Sequence, residues 1–258
     1  MALLVVLLLG LGACSTAAST PVRGETLRVM TWNVQGHTHE PDDWADLVAQ
    51  VRPDVLAVQE ICTDQAAELG AILRRDHGLP YTVVPAPIRP PTSQEANAPI
   101  NAALGPVCGT DPDAVEWGLA VLSLLPVGDD QVVLYPPDRR DEQRGYLGVR
   151  VAGLRLVTTH IGLNGVQADQ IRLLADAATG PGPVVLLGDL NVGPGAPELA
   201  PLRAAFTEVD PAGELTTTAR GKIDYIFHRG LAVVGGPETP EVTASDHRPL
   251  VATLVVAQ

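Results

Sequence analysis

Leu154-Arg155-Leu156-Val157-Thr158-Thr159-His160 and Val184-Val185-Leu186-Leu187-Gly188-Asp189-Leu190-Asn191 enclose residues 164–178, where Val166, Ile171, Leu174 and Ala178 recur at helical spacing. Two apolar strands joined by a helix make a β-α-β unit. Each strand here runs into polar groups: His160 after the first, Asp189 and Asn191 after the second. The first third of the chain repeats the arrangement. Residues 27–34 read as a buried strand carrying Asn33 near its end. Pro41-Asp42-Asp43 opens a helix with Trp44, Leu47, Val48 and Val51 on one face, its acids at the N-terminus where the dipole favours them, and Pro53 stops it. Residues 55–58 form the next strand, running toward Glu60, and 64–77 a second helix. Two such units predict an α/β fold in which two sheets meet and present their polar strand ends at one common edge.

Further strands are expected at 81–84, 116–125, 131–135 and 146–151, with a turn around Pro126-Val127-Gly128. Residues 85–114 are rich in Pro, Ala, Asn and Gly without a period, a loop long enough to shape a substrate site. An antiparallel finish over 223–228, 231–234 and 250–256 is expected to close the second sheet. Two more polar groups sit around it: Asp224 in Lys222-Ile223-Asp224-Tyr225-Ile226-Phe227, and Asp246-His247 in Ser245-Asp246-His247-Arg248-Pro249. Asp224 can orient His247, while Asp246 can face a cation.

With 258 residues and 46% apolar composition, the chain can bury the core of a single catalytic domain, placed at 25–258. The net charge of −13 argues against a tight, sequence-independent grip on duplex nucleic acid, and 3% aromatic residues leave few platforms for stacking bases. Residues 1–24 read as a signal segment and tether. The apolar run 2–13 fits a signal h-region, and Leu11-Gly12-Ala13-Cys14 resembles a bacterial lipobox, so Cys14 is the expected lipidation site. No Lys or Arg precedes the run, and an ordinary cleaved signal with an incidental cysteine is the alternative. Either way the protein is expected to be exported, anchored to the bacterial cell envelope in the first case and secreted in the second. Cys62 and Cys108 then remain as a pair, either disulfide-bonded or two free buried thiols.

A phosphoester is protected by its charge, so cleaving it requires neutralising the phosphate and delivering water in line. Asn33 and Glu60 offer hard oxygens suited to Mg²⁺, or to Mn²⁺ or Ca²⁺. Asp189 can hold and deprotonate water, Asn191 can donate to a phosphate oxygen, and His160 and His247 can flank the phosphate. Any one of these motifs is weak alone; their ordered combination is specific.

Thr-Trp-Asn33-Val, Val-Gln-Glu60, Thr-Thr-His160, Gly-Asp189-Leu-Asn191, Lys-Ile-Asp224-Tyr-Ile and Ser-Asp246-His247-Arg-Pro together resemble the endonuclease/exonuclease/phosphatase superfamily over roughly 27–256. The resemblance implies a four-layered α/β sandwich, with two mainly antiparallel central sheets flanked by helices, and a Mg²⁺-dependent phosphoesterase. It further implies Asn33 and Glu60 as metal ligands, Asp246 supporting the metal or its water, and the Asp224–His247 pair stabilising the transition state. His160 is similar to the histidine of the branch containing deoxyribonucleases, sphingomyelinases and inositol-phosphate phosphatases. By the same resemblance Glu116 orients that histidine, and Arg144 contacts substrate phosphate, with a solvated loop charge as the alternative for Arg144. Gln167 stands where that branch often carries Arg. With neither a basic surface nor an aromatic membrane hairpin, a small or lipid-derived phosphoester is the favoured substrate and a monomer the expected state. Nucleic acid, cut by a secreted DNase-like enzyme, is the alternative; a non-catalytic surface binding module is a third reading.

Overall fold

The computed structural model describes residues 26–89, 108, 117–138 and 143–256. Cys14 and Glu116 lie outside the described residues, as does most of the 85–114 loop. The elements are β1 (Thr26–Asn33), α1 (Pro41–Val51), β2 (Val55–Cys62), α2 (Thr63–His77), β3 (Thr82–Arg89), β4 (Trp117–Ser123), β5 (Val127–Leu134) and β6 (Gly145–Val151). They continue with β7 (Leu154–His160), α3 (Gln167–Ala177), β8 (Val184–Asp189), a 3-10 turn (Pro197–Leu199), α4 (Ala200–Ala205), β9 (Thr207–Glu208), β10 (Asp224–Arg229), β11 (Leu231–Val233) and β12 (Leu250–Val256).

The strands form two six-stranded sheets, ordered β11-β12-β1-β2-β4-β3 and β5-β6-β7-β8-β10-β9. Each has one parallel pair at its centre, β1 with β2 and β7 with β8, and is otherwise antiparallel. The parallel pairs are those joined by helices α1 and α3, because a parallel return needs a crossover. Side-chain alternation along a strand then divides the apolar residues between two faces. Leu27 and Val29 of β1 meet Leu147, Leu156, Val185 and Ile226 of the other sheet in the central core. Met30 and Trp32, on the opposite face of β1, pack under α1 and α2 with Trp44, Val48, Leu69 and Leu73. On the other flank Leu186 and Phe227 meet Ile171, Leu174 and Leu202. Helices, sheet, sheet and helices are the four expected layers.

Three expectations are corrected. Strands β11 and β12 complete the first sheet, not the second: β10 pairs with β8, whereas β12 pairs with β1. Gly230, at φ 70°, turns the chain between β10 and β11 in a conformation that disfavours a Cβ, and the chain changes sheets there. Val127-Gly128 opens β5 instead of forming a turn, and β3 continues past 84 to Arg89. An edge strand as exposed as β5, with a register shift between Gly128 and Gln131, has no apolar alternation to reveal it.

One polar contact crosses the central core. Gln59 Nε2 donates to Thr31 Oγ1 at 3.0 Å and to Thr158 Oγ1 at 3.3 Å, all three side chains being buried. It ties the two sheets one residue below Glu60 and two below His160, so the ends of β2 and β7 are held at a fixed separation. A disulfide joins Cys62, at the end of β2, to Cys108. Closing a 46-residue separation stabilises by at most about 4 kcal/mol through unfolded-chain entropy. Urea denaturation of Cys62→Ser/Cys108→Ser protein is therefore expected to show a lower midpoint, and an unchanged one would assign the bond no stabilising role.

Candidate active site

Strand register sets the site. His160 pairs with Asp189 across β7 and β8, and Asp189 pairs with Asp224 across β8 and β10, so three polar residues occupy one row of the second sheet. The row needs glycine beside it: Gly188 sits at φ 146°, and a Cβ there would lie 2.0 Å from the Thr159 carbonyl oxygen. In the first sheet, Asn33 ends β1 and Glu60 sits in a bulge of β2, at φ 56°, where the register with β4 shifts between Gln59 and Ile61. A bulge re-aims the side chain of its extra residue. Glu60 remains 22% exposed while its neighbours are buried.

These ends converge. Asn33 Nδ2 donates to Glu60 Oε1 at 3.1 Å and to Asp189 Oδ2 at 3.2 Å, joining the two sheets at the cleft. His160 Nε2 lies 3.4 Å from Asp189 Oδ2 and 3.9 Å from Glu60 Oε1. His247 Nε2 approaches Asp189 Oδ2 at 3.8 Å from the other side, and its Nδ1 is 2.9 Å from Asp224 Oδ2. Asn191, in the left-handed region at φ 50°, donates its backbone N–H to Asp189 Oδ1 at 2.9 Å and its amide to the Ile161 carbonyl at 2.8 Å. Its Nδ2 is 3.1 Å from His160 Nε2.

Burial and neighbouring charge then fix protonation. Burial raises Asp189 to about 7, and the Asp224 carboxylate adds to the rise, against the lowering effects of His247, the Asn191 N–H and Asn33. For His247 burial works to lower the pKa, but the hydrogen bond and charge of Asp224, with Asp189 and Asp246, raise it to about 9. His160 is held well below its ordinary value by burial, Arg144 and His247. Arg144 Nη1 lies 2.6 Å from His160 Nδ1, and because a guanidinium only donates, Nδ1 accepts and the ring proton rests on Nε2, facing Asp189.

Arg144 is thus buried, 8% exposed, against His160, and the alternative of a solvated loop charge does not hold. Asp246 is exposed, and among the described residues no hydrogen bond or ion pair joins it to Asn33 or Glu60; it reaches the site through its charge on His247. Asp189, Asp224 and His247 place ligand atoms within 4.8 Å of one another, close enough for one ion, with His247 Nδ1 and Asp224 Oδ2 already paired to each other at 2.9 Å. The hard oxygens suited to a divalent cation outside that trio are those of Glu60 and, beside it, Asn33. The Asn33 amide nitrogen faces Glu60 and Asp189 while its Oδ1 accepts the Gln35 N–H at 3.1 Å, so that a cation there requires the amide to turn. These residues fit such an ion: a partly exposed carboxylate and a side-chain amide stand at strand ends, next to an acid that burial alone makes costly to ionise.

Sequence reading missed three contributors. His37 Nδ1 stands 3.7 Å from Glu60 Oε2, on a loop without periodic signal. Thr217 Oγ1 accepts the N–H groups of Ile223 and Asp224 at 3.1 and 3.2 Å, fixing the entry into β10. Lys222 is buried, its Nζ donating to Glu208 Oε1 at 2.6 Å and Asp210 Oδ2 at 3.0 Å, which anchors the chain two residues before Asp224. A lysine opening an apolar strand was a visible signal for such a buried ion group.

Among solved structures, the fold is similar to an endonuclease/exonuclease/phosphatase from Beutenbergia cavernae, with TM-score 0.69 and 22% identity over 92% of this chain and 72% of that one. It is similar to the endonuclease/exonuclease/phosphatase from Bacteroides vulgatus, with TM-score 0.68 and 16% identity over 90% of this chain and 100% of that one. Truncated Caenorhabditis elegans TDP2 is also similar, with TM-score 0.59 and 16% identity over 90% and 99% of the respective chains. No curated relative matches the sequence. Likeness at such identities concerns the fold, but a family profile matches residues 30–247, the span from β1 to the histidine at the cleft. The chain belongs to the Endonuclease/Exonuclease/phosphatase family.

Proposed function

We propose that this protein hydrolyses a phosphoester with the help of a divalent cation, Mg²⁺ before Mn²⁺ or Ca²⁺, held by Glu60 and Asn33. The observation that carries the reading is the meeting of polar residues at or near the ends of five strands, β1, β2, β7, β8 and β10, with His247 from the segment before β12, two imidazoles lying within 3.8 Å of Asp189 Oδ2. A bound divalent cation neutralises phosphate charge and acidifies water. Asp189, whose carboxyl burial and Asp224 push up to about 7 in the metal-free protein, is placed to take the proton of the attacking water. His247, kept cationic by Asp224, stabilises charge on the phosphate oxygens, and Asn191 and His160 hold the ester from the opposite side. Mg²⁺-dependent release of phosphate or alcohol from nucleotide, lipid and sugar-phosphate esters tests this directly, and silence across the whole panel would sink it. Glu60→Ala is expected to abolish Mg²⁺ binding in calorimetry, which also separates an enzyme from a non-catalytic surface module.

The reading extends to place and substrate. Export is supported by the Cys62–Cys108 disulfide, a bond suited to an oxidising compartment, and lipidation at Cys14 with anchoring to the cell envelope by the Leu11-Gly12-Ala13-Cys14 string. The favoured substrate is a small or lipid-derived phosphoester, and the esters in the panel are offered both in solution and in vesicles to distinguish the two. Plasmid nicking that disappears in His247→Ala protein would instead favour a nuclease.

A further inference from the structure

The backbone N–H and C=O of His247 are held by one sheet while its ring works on the other. The acids the ring meets, Asp224 and Asp189, belong to β10 and β8 of the second sheet, whereas these two backbone groups are tied to β1 of the first; one residue on, the Arg248 N–H donates to the Thr217 carbonyl at 2.7 Å, on the segment that leads into β10. Trp32 Nε1 donates to the His247 carbonyl at 2.9 Å within the core. Ser245 Oγ donates to the Asn33 carbonyl at 2.7 Å and accepts the His247 N–H at 3.0 Å. Two residues of β1, Trp32 and Asn33, therefore hold both backbone groups of His247, the second through one hydroxyl. Trp44 Nε1 adds a bond to the Ala244 carbonyl at 3.1 Å.

We infer that Trp32 and Ser245 are positioning residues for the reaction: a clamp that sets the height of the His247 ring between Asp224 and Asp189 and couples it to the strand end bearing Asn33. The inference rests on the role assigned above to His247. Trp32 is 1% exposed, and a buried indole N–H needs a partner; Phe keeps an aromatic ring there at the cost of a small cavity but has no donor. What Trp adds is the bond to His247. Ser245 is only partly buried and its hydroxyl bonds two backbone groups at once, so its value lies in geometry more than in burial. Misplacing a reacting group by about 1 Å costs about 100-fold in rate, and losing one of two pins is expected to cost part of that.

Trp32→Phe, Ser245→Ala and Ser245→Thr proteins test the clamp. Trp32→Phe and Ser245→Ala are each expected to lower kcat by about 10- to 100-fold with KM retained, and Ser245→Thr, which keeps the hydroxyl, to restore most of it. A second readout needs neither metal nor turnover. The downfield Nδ1–H resonance of His247 in the metal-free protein, assigned by its absence in His247→Gln, is expected to shift or broaden in Trp32→Phe and Ser245→Ala and to return in Ser245→Thr. Unchanged kcat and an unchanged resonance in both would overturn the clamp, as would losses that track melting temperature and are the same in Ser245→Thr. If Trp32→Phe does not fold, the two Ser245 variants decide. If the wild-type protein cleaves no phosphoester, the resonance still decides the clamp, so the two readings fail separately.

Discussion

Asp189→Asn is expected to lower phosphoester hydrolysis by about 10²- to 10⁴-fold and, in the same protein, to raise the melting temperature of the metal-free state near pH 8. The two effects have one cause. Burial and Asp224 raise the Asp189 carboxyl from 3.8 to about 7, so the folded chain holds this proton more tightly than the unfolded one. A raised folded pKa contributes stability that is complete below the unfolded value and is lost as pH rises through the folded one, here between about 4 and about 7. Near pH 8 the metal-free protein must keep an ionised carboxylate buried beside Asp224. Asparagine removes that charge and has no basic oxygen with which to take a proton from water; with its Oδ1 kept on the Asn191 N–H, its amide nitrogen stands in place of Oδ2 against the Asn33 amide, which offsets part of the gain. Melting curves near pH 4.5 and pH 8 in chelator check the sign: a small change at the lower pH and a stabilisation at the higher. A lowered melting temperature near pH 8, or a retained rate, would remove Asp189 from the role of base. Stability given up at a site in exchange for activity is a common pattern, and here it falls on a single proton.

The parts of this fold legible in the sequence are those where burial writes a period. Apolar runs such as 154–159 and 184–187 are buried between a sheet and helices, so strand and polar end were both visible, and with them Asn33, Glu60, His160, Asp189, Asp224 and His247. Pro41 with the acids behind it marked α1, and the structure shows Asp43 Oδ2 accepting the Glu40 N–H at 3.0 Å. Elements that depend on tertiary pairing left little mark. β9 is 2 residues and α4 is 6, too short for any period to emerge. β5 lies exposed at an edge, and its bulge erases alternation. The sheet to which β11 and β12 belong is decided by which strand edge remains open, a property of the assembled layers and not of residues 231–256. Arg144 shows the same limit at the level of one side chain. A charged neighbourhood spoke for solvent, but the residue sits where β6 begins, and its partner His160 is paired across the ladder with Gly145. The Trp32 pin was equally hidden, because its acceptor lies 215 positions away.

Asp224→Asn should move stability in the direction opposite to Asp189→Asn while also costing about 10²- to 10⁴-fold in rate. In the wild-type protein burial opposes the His247 charge, and only the Asp224 hydrogen bond and carboxylate, helped by Asp189 and Asp246, bring it to about 9. If the cation is the active form, the rate should decline above about pH 9, on the alkaline side of the rise that ionisation of Asp189 produces. With Asn at 224 the charge that opposed burial is gone, the imidazole loses its proton at lower pH, and the alkaline limb should shift toward acid by at least about one unit. Stability follows with its own sign. A histidine whose pKa is raised on folding contributes stabilisation that is complete below its ordinary 6.5 and vanishes as pH rises through about 9. Asp224→Asn removes that contribution, so its melting temperature should fall relative to wild type near pH 6 and approach it near pH 10, where His247 is neutral in both. Measured pH–rate and pH–melting profiles of the two asparagine variants therefore separate the two carboxylates. One is buried at a cost and used as a base; the other is buried with its counter-ion and used to keep that ion charged. An alkaline limb that does not move in Asp224→Asn would mean that His247 acts in its neutral form, and the assignment of charge stabilisation to it would fail.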